Sequence, residues 1–546
     1  MDYKWKIISK TINKKDKNWL TYVLAKNRGL YSKKQLDEFL CPNLNQILNL
    51  KLTNTSKAVN RIIKAIKNQE KIIVYSDYDA DGICGSAIVW ETLYDLGADI
   101  IPYVPDRIKE GYGLYTPTIK KLAFNGINLI ITVDHGISAV DQISEANKLG
   151  VDVIVTDHHV KPKILPKASA IVHSTNVAGA GVAWRFCYDF VKEYKPTYTK
   201  QLINKLELAA IATIADLVPL IGENRAIVKI GLEKLQKTKR PGLVSLLRAT
   251  SIKGLINSYD IGHIIAPRIN AMGRIKHGID ALRLICAKKQ SQADSLASLL
   301  SKTNVKRQDL TTTTITSALE KVDKSQLIGV IADSSWHEGI IGLVASRLVE
   351  FHYKPMVVIS VGQKISKGSA RSIPGFNIIE AIRQSSELLV DAGGHPMAAG
   401  FTIKSIYIEA FSKKINAYAQ KTITEEMLAP SFNIECQLDP QDINKQTLEL
   451  IKTFEPFGVA NPSPIFLTKS MTVEDLRGVG NNSQHLKLQL NGINAIGFNL
   501  GEKRYNLRPG YSVDIVFTLE EDNYNNNNKI QINIKDLRLS NTKLSN

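Results

Sequence analysis

Three short apolar runs, rich in β-branched residues, punctuate the first third of the chain: 71–75 (KIIVY), 129–133 (LIITV) and 151–156 (VDVIVT). Each is separated from the next by a helix-length stretch, which predicts parallel strands of βαβ units. Further strands are expected at 100–104 and 170–172, and an amphipathic helix at 58–66. Residues 206–215 (LELAAIATIA) form an apolar helical run that ends at Asp216. Residues 291–322 are helical and polar in pattern, without Pro or Gly, and read as a long helix or helix pair joining two lobes.

A second α/β pattern follows, with strands at 327–331 and 356–361 and a helix at 339–350 between them. It closes at Gly393-Gly394-His395. From about Phe432, short β patterns alternate with turns at 465–468, 486–490, 495–499, 512–518 and 529–534. Five short strands predict a small barrel of the OB type. The asparagine-rich stretch 523–529 reads as a hairpin loop, and no internal repeat is visible. The expected division is a helical, basic segment over 1–70, a parallel-sheet domain over 71–290, a connecting helix over 291–322, a second α/β domain over 323–430 and a barrel over 431–546.

Length changes this picture little: 546 residues, at roughly 150 per domain, suit three or four domains. Charge adds more. Lys+Arg 70 against Asp+Glu 52 leaves +18, which favours a polyanionic partner such as nucleic acid. Five scattered cysteines without CxxC spacing argue against a disulfide framework or zinc knuckle and suit a reducing cytosol. With no apolar leader region and no run of about 18 apolar residues, a cytoplasmic protein without membrane contact is expected.

The chemistry sits where the strands end. Residues 71–75 run into Asp77, Asp79, Asp81 and Gly82, residues 129–133 into Asp134-His135-Gly136, and residues 151–156 into Asp157-His158-His159. In parallel sheets, ligands bind beyond the carboxyl ends of the strands, so three clusters would converge on one place. Crowded carboxylates repel unless cations neutralise them, and an oxygen-rich set with some imidazole suits Mn²⁺ or Mg²⁺. A calcium EF-hand loop is excluded because its twelfth position, which needs Glu, is Ile88. Adjacent side chains of an extended segment point apart, so His158 and His159 divide their roles: one binds metal, the other orients a neighbour or meets substrate. Asp216 reads either as a helix-exit residue or as a ligand. Arg107 near Gly111 and Gly113, Arg268 and Asn270 near Gly273 and Arg274, and Lys367-Gly368-Ser369-Ala370-Arg371 each combine cations with glycine or serine. Such loops let backbone amides approach phosphate while Arg forks onto it. Gly393-Gly394-His395 reads as close backbone approach beside an imidazole, or as a structural turn.

Ser-Asp-Tyr-Asp-Ala-Asp-Gly at 76–82, Val-Asp-His-Gly-Ile-Ser at 133–138, Asp157-His158-His159 and Ala-Asp-Leu-Val-Pro-Leu at 215–220 stand in the order of the DHH phosphoesterase superfamily. Gly222–Arg225, Ala266–Ala271, Trp336–Gly342, Gly368–Ser372, Gly393–Gly400, Pro456-Phe457-Gly458 with Asn461-Pro462, and His485-Leu486-Lys487 resemble its RecJ branch, single-strand-specific 5′→3′ DNA exonucleases. The resemblance covers about residues 71–539. It implies an α/β fold with a DHH catalytic domain, a DHH-associated domain and a C-terminal OB-fold that binds nucleic acid. It also implies two divalent cations, Mn²⁺ or Mg²⁺, with Asp79 on one, Asp81, His158 and Asp216 on the other, and Asp134 bridging. Asp77, Asp157 and His159 would stand behind the ligands or face substrate, and His395 would touch the phosphate under attack. Arg107, Arg268, Asn270, Arg274, Ser369 and Arg371 would grip phosphates, with Ser369 and Arg371 nearest the 5′-terminal one.

The activity so implied is metal-dependent release of mononucleotides from single-stranded DNA with a 5′ end, in recombination and repair. The implied setting is a monomer working with a single-strand-binding protein and a recombinational helicase. The chain departs from the family pattern at Ser76, where glycine is usual, at Tyr75, where some members carry a ligating His, and at Cys84-Gly85-Ser86, where Thr-Ser-Thr is typical. Two rival readings are a superfamily oligoribonuclease or cyclic-dinucleotide phosphodiesterase, and a catalytically silent DNA-binding scaffold. The barrel argues against the first and the intact aspartates against the second.

Overall fold

The structure is a computed structural model that describes residues 3–10, 14–252, 254–522 and 529–540. Strands β1 (Lys71–Ser76), β2 (Asp99–Tyr103), β3 (Leu129–Val133), β4 (Asp152–Asp157) and β5 (Ala170–His173) form an all-parallel sheet in the order β2-β1-β3-β4-β5. The central strands are covered on both faces, and β3 is buried at every position. That is why they read as unbroken apolar runs instead of alternating ones.

One face is filled by α1 (Ala80–Asp95), α2 (Gly179–Tyr194) and α3 (Leu206–Ala215). The other carries a smaller core that includes Tyr75, Leu122, Ile130, Ile143 and Val155. Helix α3 is buried at every residue except Ala215, as its all-round apolar pattern requires.

The chain passes from β1 to β2 on one side and then from β2 back across to β3 on the other, so the strand order reverses between β1 and β3. Ser76 pairs with Val133, and Val133 with Thr156. The residues that follow, Asp77, Asp134 and Asp157, therefore leave the sheet side by side at its switch point, where such folds place ligands.

The polar helical stretch is one 32-residue helix, α5 (Gln290–Lys321), packed against α4 (Ala266–Ile275). It leads to a second sheet of β6 (Gly329–Asp333), β7 (Met356–Ser360), β8 (Ile365–Arg371), β9 (Leu389–His395) and β10 (Ala398–Lys404), in the order β9-β10-β8-β7-β6. Strands β6 and β7 are parallel, joined through α6 (Ile341–His352), and the remaining pairs are antiparallel. Gly393 and Gly394 lie within β9, opposite Gly400 and Ala399. All of this belongs to one compact unit, Asn43–Leu428.

The second unit comprises Met1–Pro42 and Ala429–Asn546. Its five-stranded barrel closes through Phe466–Val479, His485–Leu490, Ile493–Gly497, Ile530–Leu539 and Ser512–Glu521, which pairs back to the first strand. The expected hairpin loop at 523–529 lies, except for its last residue, outside the described residues. Residues 1–70 do not stand as one helical segment. Lys4–Ile7 runs parallel to Ser431–Ile434, because Trp5 and Ile7 alternate with lysines and pack against Ile434, Leu467 and Val516. Leu20, Leu24 and Phe39 join the barrel core, whereas the helix Thr55–Lys67 packs on the parallel-sheet domain. Among the described residues, no helix is long and apolar enough to cross a membrane.

Candidate metal centre

The loop after β1 is tightly constrained. Asp79 caps α1, its Oδ1 accepting the amides of Asp81 at 2.9 Å and Gly82 at 3.1 Å. The Ala80 amide, which the helix itself cannot satisfy, donates to Asn270 Oδ1 at 2.7 Å. Gly273 lets α4 press on this loop, since a Cβ there would sit 2.5 Å from the Tyr78 carbonyl oxygen. Asp81 accepts amides from the first turn of α2, Gly179 and Ala180, both at 2.7 Å. Asp134 adopts the left-handed conformation, φ 68°, uncommon outside glycine, asparagine and aspartate. Its carboxylate is packed over Gly179, where a Cβ would fall 2.6 Å from Asp134 Oδ1.

Ligand atoms gather in three overlapping sets, each within 4.8 Å: Asp77, Asp79 and Asp134; Asp81, His158 and Asp216; Asp134, His158 and His159. His158 Nε2 lies 3.2 Å from Asp134 Oδ1, 3.6 Å from Asp216 Oδ2 and 3.9 Å from Asp81 Oδ2. Asp134 joins the sets, and its Oδ1 is buried without a hydrogen bond. Burial first, then mutual repulsion, pushes the Asp77 and Asp134 carboxyls well above the ordinary carboxylate range, Asp81 to about 7 and Asp216 to about 8. Burial lowers His158 to about 4, leaving a neutral imidazole able to bind metal. Crowded acids, a neutral imidazole and an orphaned carboxylate oxygen fit cations.

The two histidines have different partners although their rings are 4.5 Å apart. His159 Nδ1 meets Asp157 Oδ1 at 2.8 Å. Burial opposes the charge, but that hydrogen bond and the Asp157 carboxylate raise His159 to about 9. Asp157 also accepts the amides of His158, His159 and Ile137, so it fixes the whole Asp-His-His turn. His135, buried against Tyr75, meets the Tyr75 carbonyl through Nε2 at 3.0 Å; it anchors the β3 end and lies in none of the three sets.

Two contributions escape a reading of the sequence alone. Tyr112 Oη donates to the Asp134 carbonyl oxygen at 3.1 Å and lies 3.4 Å from His159 Nε2; its only trace in the sequence is a Gly-Tyr-Gly loop. Asn270, expected at a phosphate, has its side-chain carbonyl engaged by the Ala80 amide, which nothing in a helical run announces.

Among the expected phosphate-gripping residues, the Arg107 guanidinium stands 4.9 Å over the Tyr78 ring. Arg274 Nη1 donates to the Gly339 carbonyl oxygen at 3.3 Å, and burial with the charges of Arg107 and Arg371 lowers it to about 10. Arg371 Nη1 donates to Ser369 Oγ at 3.2 Å. A Cβ on Gly342, in the first turn of α6, would come 3.0 Å from both side chains, so the N-terminus of that helix lies against them. Arg268 holds the Ile264 carbonyl oxygen at 2.6 Å. His395 is exposed at the end of β9. A cavity of about 710 Å³ lies elsewhere, at the far end of α1, between Trp90, Tyr94 and Lys288. Its lining includes Glu91, Glu207 and Arg240, already joined in buried ion pairs.

Residues 71–214 match the DHH family, N-terminal domain, residues 323–421 the DHHA1 domain and residues 434–536 the RecJ OB domain. The single-stranded-DNA-specific exonuclease RecJ of Haemophilus influenzae is 31% identical over 93% of this chain and 94% of its own. The chain belongs to the RecJ family. RecJ of Bacillus subtilis is 37% identical over 89% of this chain, which spans 63% of that relative's length, just under two thirds. A crystal structure of Thermus thermophilus RecJ in complex with Mn²⁺ superposes with a TM-score of 0.86 at 29% identity, covering 99% of this chain and 80% of that one. The fold is therefore that of RecJ: a DHH domain, a DHHA1 domain and an OB barrel.

Proposed function

We propose that the centre holds two divalent cations, Mn²⁺ or Mg²⁺, and hydrolyses single-stranded DNA from its 5′ end, releasing mononucleotides. The observation that carries this reading is the buried, hydrogen-bond-free Oδ1 of Asp134, shared between an all-aspartate set and a set containing His158. Asp79, backed by Asp77, belongs to one cation. Asp81, His158 and Asp216 belong to the other, and Asp134 stands between them. The two cations would polarise the phosphate and the attacking water. The relatives are single-stranded-DNA-specific exonucleases, which supports the substrate, and the RecJ structures with Mn²⁺ and with Mg²⁺ support the metals.

The chain's own groups do the rest. Asp157 keeps His159 protonated at neutral pH, so a cation faces the negative charge that develops on phosphate. Tyr112 fixes Asp134 from the backbone side. Ser369, Arg371 and the N-terminus of α6 receive the 5′-terminal phosphate, Arg107 and Arg274 flank it, and His395 meets the phosphate under attack. The barrel adds affinity for the strand by basic and stacking contacts. The cellular setting that follows is DNA recombination and repair in the cytoplasm, as a monomer that works beside a single-strand-binding protein and a helicase.

The test is a substrate panel: one 5′-phosphorylated single strand labelled at either end, and the same strand as blunt duplex, each with Mn²⁺ or EDTA. Mn²⁺-dependent release of labelled mononucleotide from the 5′ label, with the duplex spared, is expected. Tight strand binding without cleavage in any metal would leave a scaffold.

A further inference from the structure

The cavity at the far end of α1 brings Lys234, Lys237, Lys239, Arg240 and Lys288 around Glu91, Asp95 and Glu207. The three carboxylates are already engaged. Glu91 meets Arg240 and, at 2.9 Å, Lys205. Glu207 meets Arg240 at 3.0 Å, and Asp95 accepts the Tyr198 hydroxyl at 2.5 Å. Arg240 is taken up by those pairs, and among the described residues no carboxylate pairs with Lys234, Lys237, Lys239 or Lys288. Three of these lysines come from the end of the helix Gly222–Gln236 and the turn that follows it, so like charges gather on one stretch of the lining.

Helix α1 contributes an aromatic wall. Trp90 and Tyr94, one turn apart, stack with ring centroids 5.4 Å apart and 28° between the planes. Trp90 is fixed by its Nε1, which donates to the Ile100 carbonyl oxygen at 3.2 Å, whereas Tyr94 is 51% exposed. The Lys288 ammonium stands 5.6 Å from the Tyr94 ring centroid, towards the outer limit of a cation–π contact, and its flexible stem lets it leave that ring to a ligand. A flat aromatic surface attracts a planar ring, and unpaired lysines attract repeated negative charge. The cavity, about 710 Å³, suits one compact ligand, and a compact ligand that joins a planar ring to several adjacent negative charges is a nucleotide.

We propose that this cavity is a second ligand site that takes a nucleoside polyphosphate, its base against Tyr94 and its phosphates among Lys234, Lys237, Lys239 and Lys288. The site is distinct from the metal centre: Asp79 and Asp81 stand at one end of α1 and Tyr94 at the other, about 20 Å apart along the helix. Occupancy here is therefore independent of whether the metal centre cuts a strand.

The experiment is a calorimetric titration of the full chain in EDTA with ATP, AMP and inorganic tripolyphosphate, with thermal unfolding of the same samples. ATP should bind at one site per chain, and AMP and tripolyphosphate should each bind about tenfold more weakly, the first for want of charge and the second for want of a ring. Tyr94→Leu should weaken ATP about tenfold and leave tripolyphosphate unmoved, whereas Lys237→Gln combined with Lys288→Gln should weaken both. Tyr94, Lys237 and Lys288 are exposed, so these variants should keep the thermal midpoint of the free protein and its strand-cleavage rate. Arg371→Ala, at the metal centre, should bind ATP as wild type does. Absence of ATP binding would overturn the proposal, as would tripolyphosphate binding as tight as ATP, or ATP binding that survives the cavity substitutions and is lost in Arg371→Ala. An oligoaspartate peptide that binds where ATP does not would overturn it too, and would assign the cavity to an acidic protein segment.

Discussion

Asn270 and Ala80 are 190 residues apart in sequence, yet Asn270 Oδ1 accepts the Ala80 amide at 2.7 Å. Ala80 sits between Asp79 and Asp81, so this one bond ties the aspartate loop to α4, the helix that also carries Arg268 and Arg274. The geometry of the acids and that of the arginines proposed to bind phosphate are thereby set by the same contact. Asn270→Ala leaves a helix N-terminal amide without a partner, a cost of about 1–2 kcal/mol. The loop loosens, and the Mn²⁺ concentration for half-maximal activity is expected to rise about tenfold. Asn270→Asp, which keeps the acceptor, should lose less. A Mn²⁺ titration unmoved by Asn270→Ala would show that the bond does not position the acids.

Metal and pH are linked through the same acids. In the metal-free protein Asp81 is raised to about 7 and Asp216 to about 8, both above their unfolded values. Groups raised in the folded state contribute stability at low pH that is lost as pH climbs through the folded values. The metal-free protein should therefore weaken as pH rises from about 4 to about 8, and added Mn²⁺, which replaces those protons, should restore it. The Mn²⁺-induced rise in thermal midpoint is expected to grow steadily across that range. An equal rise at pH 6 and pH 9 would separate these carboxyls from the metal.

The barrel unit has its own internal tie. Arg28 meets Glu435 at 3.0 Å with both side chains almost fully buried, and its Nε reaches Asn461 at 2.7 Å. Arg28→Ala strands a buried carboxylate, an effect of about 3–5 kcal/mol, and should lower the urea midpoint sharply. Replacing both partners by apolar residues of similar size should recover most of it. Urea curves that coincide for Arg28→Ala and wild type would mean the pair contributes nothing.

The parallel sheet was legible because double-sided burial writes β1, β3 and β4 as unbroken apolar runs, and because acids at their ends have no structural reason to be there. Register then did what periodicity could not show: pairing of Ser76 with Val133 and of Val133 with Thr156 aligns Asp77, Asp134 and Asp157. Other features left little trace. The first barrel strand extends to Val479 through two register shifts, which break its alternation after Thr468. Lys4–Ile7 is too short to announce a partner more than 400 residues away. A structural turn is one of two readings of Gly393-Gly394, since strand propensity penalises glycine, yet the pair lies in β9. Asn270 is an ordinary polar helix residue until the aspartate loop is in place beside it.

The central claim is that Asp134 joins two cation positions that together cut the strand. The measurement is the rate of mononucleotide release from a 5′-labelled, 5′-phosphorylated single strand in saturating Mn²⁺, for wild type and Asp134→Ala side by side, with strand binding followed in EDTA. The account predicts that Asp134→Ala binds the strand and releases almost nothing, at least about a thousandfold below wild type. Comparable release by both proteins would contradict it.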